Sequence, residues 1–303
     1  MRPREQYQLN GTGPKGSVCL LMFGRMGQSC GIGDDIAALP AVTELCKSCN
    51  VTIYTVHPEI FARTGAVIHT MDKDLDRASD GSMFTSDWDG KNIPKYERIF
   101  KMGGGGIYDE VEYMEKAPTR FDMYADMFQI TAPESFDYVE ALQPQKRTDA
   151  IYTILASEAA EVWRTLSADR SIELYDGLSE DREVVWLGVR TVAFSWSELL
   201  ALVYNAERVV AVASGIAHLA AALKKPTYIL GGITDARTIY SMYGGELYYF
   251  QGTWKECLSP CYRNPDRGFR GNKCCGVYSK PKCMESIDIS EVLTTIQGVN
   301  YAI

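Results

Sequence analysis

Three groups of residues in this chain have types and spacings suited to chemistry. The first is Ser214, Gly215 and His218 in "SGIAHLAAALKKPTYILGG", residues 214–232. A β-branched run, "AERVVAVA", precedes it, so the pattern reads strand, glycine turn, short alanine-rich helix, apolar strand. In such a βαβ unit the turn lies outside the carboxyl end of a parallel sheet. There the free N–H groups and the positive end of the helix dipole favour an anion such as a diphosphate. The second group is Asp34 and Asp35, which open the helical pattern of "DDIAALPAVTELCK". Asp is a favoured helix cap, and a carboxylate in this position could also act as a base. The third is a set of cysteines, Cys257, Cys261, Cys274, Cys275 and Cys283, in one glycine-, proline- and lysine-rich loop spanning 254–284. Such a loop is long for a connection without a staple. Four thiolates, Cys257, Cys261, Cys274 and Cys283, could close a tetrahedral zinc or iron site; reduced thiols or disulfides formed in air are the alternative.

Other motifs carry less. His218 taken alone reads as a satisfied buried histidine before a ligand contact; beside a phosphate-type turn the two readings are even. His57 and His69 have no motif around them and are read as surface or structural residues. Asp87 and Asp89 form a DxD in "SDWDG", but in a polar stretch without a preceding strand pattern, which suits a solvated loop. Gly103 to Gly106 lack both the Lys-Ser/Thr of a P-loop and the spacing of a dinucleotide-binding turn, so they let backbone approach a ligand or simply end a strand.

The elements that must position these residues alternate. The first half runs strand "SVCLLMF", loop "GRMGQSCGIG", a helix with Ile36, Leu39, Val42 and Leu45 at helical spacing, and strand "VTIYTV". Strand "YERIFKM" and an amphipathic helix "RFDMYADMFQI" follow. The second half repeats the grammar with "AIYTILA", "ADRSIELYDGL", "EVVWLG", "SWSELLALVYNA" and the unit at 214–232. Between them "ESFDYVEALQPQKRTD" reads as a linker near residue 145. The expected fold is α/β: two doubly wound Rossmann-like domains, 1–145 and 146–303, facing one another across a cleft, the second bearing the Cys-rich loop.

With 303 residues, 46% of them hydrophobic, the chain can build two ordinary cores. A net charge of −8 argues against a broad nucleic-acid surface. The N-terminal stretch is polar and "SVCLLMF" is too short for a signal or a membrane span, which predicts a soluble cytoplasmic protein. Nine cysteines, an odd number and unevenly spread, do not suit a secreted disulfide framework.

Two stretches carry a family resemblance. "GIGDDIAALPAV" is similar to the Gly-Asp-(apolar)₂-x-x-(apolar)-Pro-Ala signature of the heptosyltransferase-like GT-B glycosyltransferases, the relatives of the ADP-heptose:lipopolysaccharide transferases. "SGIAHLAAALKKPTYILGG" resembles that family's donor signature, Asp-Thr-Gly-x-x-His-Leu-Ala-Ala-Ala-x-x-x-Pro. The two anchors fall one in each half and in the family's order. "SWSELLALVYNAERVVAV" and "LASEAAEVWRTLS" match more weakly.

The resemblance implies a GT-B fold and the inverting transfer of a sugar from a nucleotide-sugar donor to a hydroxyl of a glycan, a protein or a modified nucleobase. It implies Asp34 as the base, Ser214, Gly215 and His218 as the donor-binding turn, and Arg164 as the basic residue near the donor phosphates. Gly33, Asp35, Gly104 and Gly105 fall on its acceptor side. It demands no cofactor for catalysis, and a zinc or iron on the cysteines would be structural. One position departs: Ala213 stands where the family carries Asp to grip sugar hydroxyls, which speaks against heptose as the donor sugar. Two other function classes compete, a catalytically silent nucleotide-sugar sensor and an NAD-linked oxidoreductase. The second is weakened because neither glycine loop has dinucleotide spacing.

Overall fold

A run such as Ser17–Met22, buried at every position, can exist only inside a sheet covered on both faces. The computed structural model places it there. The structure describes residues 8–10, 14–22, 31–72, 77–78, 96–101, 119–131, 133–146, 151–159, 164–188, 194–232, 235–254 and 281–300. Contacts divide the chain into two units, Met1–Leu142 and Gln143–Ile303.

The first unit contains β1 (Gln8–Asn10), β2 (Ser17–Met22), helix α1 (Ile32–Cys46), β3 (Asn50–Thr55), β4 (Val67–Asp72), β5 (Arg77–Ala78), β6 (Arg98–Lys101), α2 (Arg120–Phe128) and α3 (Tyr138–Leu142). Its six strands lie in the order β1-β6-β2-β3-β4-β5. The four in the middle are parallel, and β1 and β5 close the edges antiparallel. The strand order therefore reverses between β2 and β6, a topological switch point with the N-terminus of α1 following β2.

The predicted face of α1, with Ile36, Leu39, Val42 and Leu45, is buried, but so are Gly33, Asp35, Ala37, Ala38, Pro40 and Ala41. A helix buried on most sides belongs between two layers, and α1 packs against α2 as well as the sheet. The helix begins at Ile32, two residues before the predicted start. Gly31, extended at φ −65° and ψ 152°, is its cap, and the Gly31 N–H donates to Asp34 Oδ2 at 3.2 Å. Asp34 thus sits inside the first turn and reaches back. The stretch read as linker contains the division between the two units and also carries α3, with Tyr138 and Leu142 buried. Tyr138 meets Phe136 edge-on, ring centroids 4.8 Å apart, and this apolar contact outweighs the polar composition around it.

The second unit contains β7 (Tyr152–Ala156), α4 (Ala168–Ser179), β8 (Glu183–Trp186), α5 (Trp196–Asn205), β9 (Arg208–Val212), α6 (Gly215–Ala222), β10 (Thr227–Gly231), α7 (Ala236–Tyr240), β11 (Leu247–Gln251), α8 (Lys282–Glu285) and α9 (Ile289–Asn300). The five strands are parallel, in the order β11-β10-β9-β7-β8. The switch point here falls between β7 and β9, and α6 starts directly beyond β9. Its core joins Leu155, Val210, Val212 and Leu230 of the sheet to Leu174 and Leu178 of α4 and to Ile289, Val292 and Ile296 of α9. Gly177 permits that helix pair: a Cβ there would lie 2.4 Å from Leu293 Cδ1. Each unit is thus α/β with a doubly wound, mainly parallel sheet. Among the described residues no helix is long and apolar enough to cross a membrane.

Candidate functional site

One candidate site, in the second unit, is built on the loop after β7 and the turn after β9. The loop folds back on itself. Leu166 N–H donates to Ser157 O at 3.0 Å, and Ala159 N–H donates to Thr165 Oγ1 at 3.0 Å. This closure brings Arg164 across the switch point, where its Nη1 donates to Ala213 O at 3.0 Å. Arg164 and the turn residues, far apart in the chain, are therefore neighbours.

Ser214 caps α6 in extended conformation (φ −151°, ψ 175°), but its side chain makes no cap bond. Its Oγ is buried and has no hydrogen-bond partner. A buried hydroxyl without a partner carries a desolvation cost unless something binds it. The first turn of α6 has no acidic residue, so the positive end of the helix dipole is not offset from within. A guanidinium, an unpartnered hydroxyl and a helix N-terminus converging at one turn form a cradle for an oxyanion.

His218 follows one turn into α6. It is buried, and its Nδ1 lies 2.7 Å from Tyr243 Oη. Its ring packs on Tyr240 with centroids 4.4 Å apart. The Tyr240 hydroxyl in turn donates to Ser214 O at 3.3 Å. The structure therefore places His218 as a hydrogen-bonded buried histidine whose partners brace the turn, and Tyr240 and Tyr243 are functional-site neighbours that sequence reasoning missed.

The other candidate site, in the first unit, lies at the start of α1. Asp34 caps the helix as described, and Gly33 is buried beside it. Asp35, also in this first turn, is fully buried. Its Oδ2 lies 2.7 Å from His57 Nδ1 and accepts from Thr55 Oγ1 at 3.4 Å. Thr55 Oγ1 also accepts from the His57 N–H at 2.9 Å, fixing the residue that follows β3. The other carboxylate oxygen, Oδ1, is buried without a partner. Burial raises the Asp35 pKa to about 6; the hydrogen bond and charge of His57 and the Thr55 hydroxyl oppose this, and the charge of Asp34 adds to it. At neutral pH Asp35 is ionised and can only accept, so His57 Nδ1–H is the donor.

His57, read from the sequence as a surface or structural residue, is the partner of the buried carboxylate. Its place directly beyond the carboxyl end of a parallel strand is the signal that could have found it. His69 keeps a structural place, stacked on Tyr54 with centroids 4.9 Å apart.

Gly104 and Gly105, the Asp87/Asp89 pair, and Cys257, Cys261 and Cys274 lie outside the described residues. Cys283 is described and buried. It sits in α8 against β10 and β11, and a Cβ on Gly232 would fall 3.1 Å from its Sγ. Gly252 is required for the same approach, since a Cβ there would strike the Cys283 carbonyl oxygen at 1.7 Å. Among the described residues no group of three or more His, Cys, Asp or Glu could hold a metal ion.

The chain matches no protein-family model and no curated protein by sequence. Its fold matches solved glycosyltransferases. The iron-containing dodecameric heptosyltransferase TibC in complex with ADP-D-β-D-heptose superposes with a TM-score of 0.63 at 12% identity, over 95% of this chain and 77% of that one. TibC from enterotoxigenic E. coli H10407 gives 0.56 at 13% identity, over 95% and 76%. The E. coli heptosyltransferase WaaC with ADP gives 0.53 at 12% identity, over 93% and 97%. At these identities the likeness is one of fold: this chain has the α/β architecture of the GT-B heptosyltransferases.

Proposed function

We propose that a chain with this architecture and these two candidate sites is a glycosyltransferase that moves a sugar, with inversion, from a nucleotide-sugar donor to a hydroxyl acceptor. The observation that carries the reading is the turn at Ala213–Gly215. Arg164 is anchored to the Ala213 carbonyl and Ser214 Oγ is buried and unpartnered, both at the N-terminus of α6. This is the chemistry that stabilises a departing nucleotide diphosphate, whose charge grows as the sugar–phosphate bond breaks. TibC and WaaC, described with ADP-heptose and ADP, have the same fold. In this chain the methyl of Ala213 offers no hydrogen bond to a sugar hydroxyl, which speaks against heptose as the donor sugar. His218 supports the turn through its tyrosines.

Asp34 would take the proton of the acceptor hydroxyl. Asp34→Asn is expected to reduce transfer at least a hundredfold while nucleotide binding is kept, since general-base removal costs on that scale. A second reading, a nucleotide-sugar-binding protein without transfer, is favoured by the use of Asp34 Oδ2 as a cap for the Gly31 N–H. The deciding experiment is a thermal-shift panel against ADP-, UDP-, GDP-, CMP- and dTDP-sugars and NAD, followed by donor turnover. Stabilisation by one nucleotide sugar with turnover supports the transferase. Stabilisation without turnover supports the binding protein, and stabilisation by NAD alone overturns both.

The same proposal includes a structural zinc or iron on Cys257, Cys261, Cys274 and Cys283. TibC is described as iron-containing, and Cys283, buried with its thiol near Gly232 and its carbonyl against Gly252, fits a staple rather than a catalytic centre. Bound there, the ion would tie the loop to the core, and no step of transfer runs through it. Elemental analysis of protein purified under reducing conditions tests this; metal-free protein of normal stability ends it.

A further inference from the structure

Asp35 and His57 form a pair for which the proposed transfer, as stated, has no use. A carboxylate with no solvent access is expensive to bury. This one keeps a single close partner, His57 at 2.7 Å, and leaves Oδ1 unpaired. The titratable groups acting on it are His57, on the loop after β3, and Asp34, its neighbour in the first turn of α1; Thr55 adds a hydroxyl. The His57 side chain is 17% exposed while that of Asp35 is fully enclosed. An inner carboxylate that accepts Nδ1–H and an imidazole at the rim are the parts of an oriented general base.

The chemistry explains the need. A carboxylate is a weak base toward an alcohol proton, whereas a neutral imidazole is a stronger one. We propose that the proton Asp34 removes from the acceptor hydroxyl is delivered to Nε2 of His57, with Asp35 as the positioning residue that fixes its tautomer. This rests on the transferase reading. In the step the acceptor oxygen bonds to the sugar carbon and the sugar–phosphate bond breaks, the diphosphate leaving with the electron pair. The proton passes from the acceptor oxygen through Asp34 to His57, which releases it to solvent after turnover. Asp34 is thereby ionised again for the next cycle.

The test uses the full-length protein and the donor identified by the thermal-shift panel, with hydrolysis or transfer as readout. His57→Gln is expected to lower kcat about a hundredfold with the donor KM unchanged, and His57→Gly to regain activity when imidazole is added. Asp35→Asn is expected to lower kcat and to convert His57 to the Nε2-protonated tautomer, read by imidazole ¹⁵N NMR. Should the buried Asp35 variant fail to fold, the two His57 variants, at a partly exposed position, still decide. A wild type that turns over donor while His57→Gln matches it within twofold overturns the relay and leaves the transferase reading standing. So does an Nε2-protonated His57 in the wild type. A wild type that turns over no donor overturns the transferase reading, and the relay with it.

Discussion

Two helix N-termini in this molecule have the same backbone setting and opposite chemistry. Both α1 and α6 start beyond the carboxyl end of a parallel strand at a switch point. The first turn of α1 carries Asp34 and Asp35. The first turn of α6 carries no acid and has the Arg164 guanidinium beside it. Helix dipoles favour negative charge at both places, but α1 meets that demand with its own carboxylates, which repel a phosphate. At α6 the demand is left for a ligand. The charge of the side chains, not the backbone motif, distinguishes the two ends; on the proposed function, one takes an anion and the other handles a proton.

This comparison can be broken directly. Arg164→Ala is expected to weaken binding of the donor nucleotide between tenfold and a hundredfold, the scale of a lost charge-assisted hydrogen bond. Ile216→Asp would give α6 a first-turn carboxylate like that of α1 and should cost about as much, with no loss of helix stability. Calorimetric titration with the nucleoside diphosphate measures both; unchanged affinity in either variant would show that the diphosphate lies elsewhere.

The acidic end can be sharpened by pH. The Asp35 pKa is about 6 in the folded protein against 3.8 for the free side chain. Between these values the native state binds more proton than the unfolded state, so stability falls as pH rises from about 4 to about 6. The contribution is complete below the lower value and gone above the upper. It amounts to about 2–3 kcal/mol by linkage. Asp35→Asn should remove this falling limb in urea unfolding curves taken across that window. The smallest effect is expected at the other end, where Tyr243→Phe removes the partner of buried His218 Nδ1. A loss of about 1 kcal/mol is expected from chemical denaturation.

Much of the architecture was legible. Strands such as "SVCLLM" and "RVVAV" are apolar runs of strand length, and both are buried at every position. The serine–glycine turn between strand and alanine-rich helix marked α6. The start of α1 was misplaced by two residues because the capping carboxylate acts from within the first turn, which a preference for Asp at caps does not resolve. The site itself was legible only in part. Asp34, Ser214 and Gly215 stood at visible strand–helix junctions, whereas His57 stood in no motif.

What the amino-acid sequence determined by itself is periodicity and punctuation: which segments are strands or helices, and where a helix N-terminus follows a strand. These depend on residues within a few positions of one another. What only the tertiary structure decided is pairing. Asp35 meets His57 across 22 residues, His218 meets Tyr243 across 25, and Arg164 meets Ala213 across 49. Each pair is set by which strands lie side by side, an outcome of burying all the apolar faces at once. The same burial encloses Asp35 although it lies in the first turn of α1, because a helix covered on most sides leaves no face for its second acid to reach water.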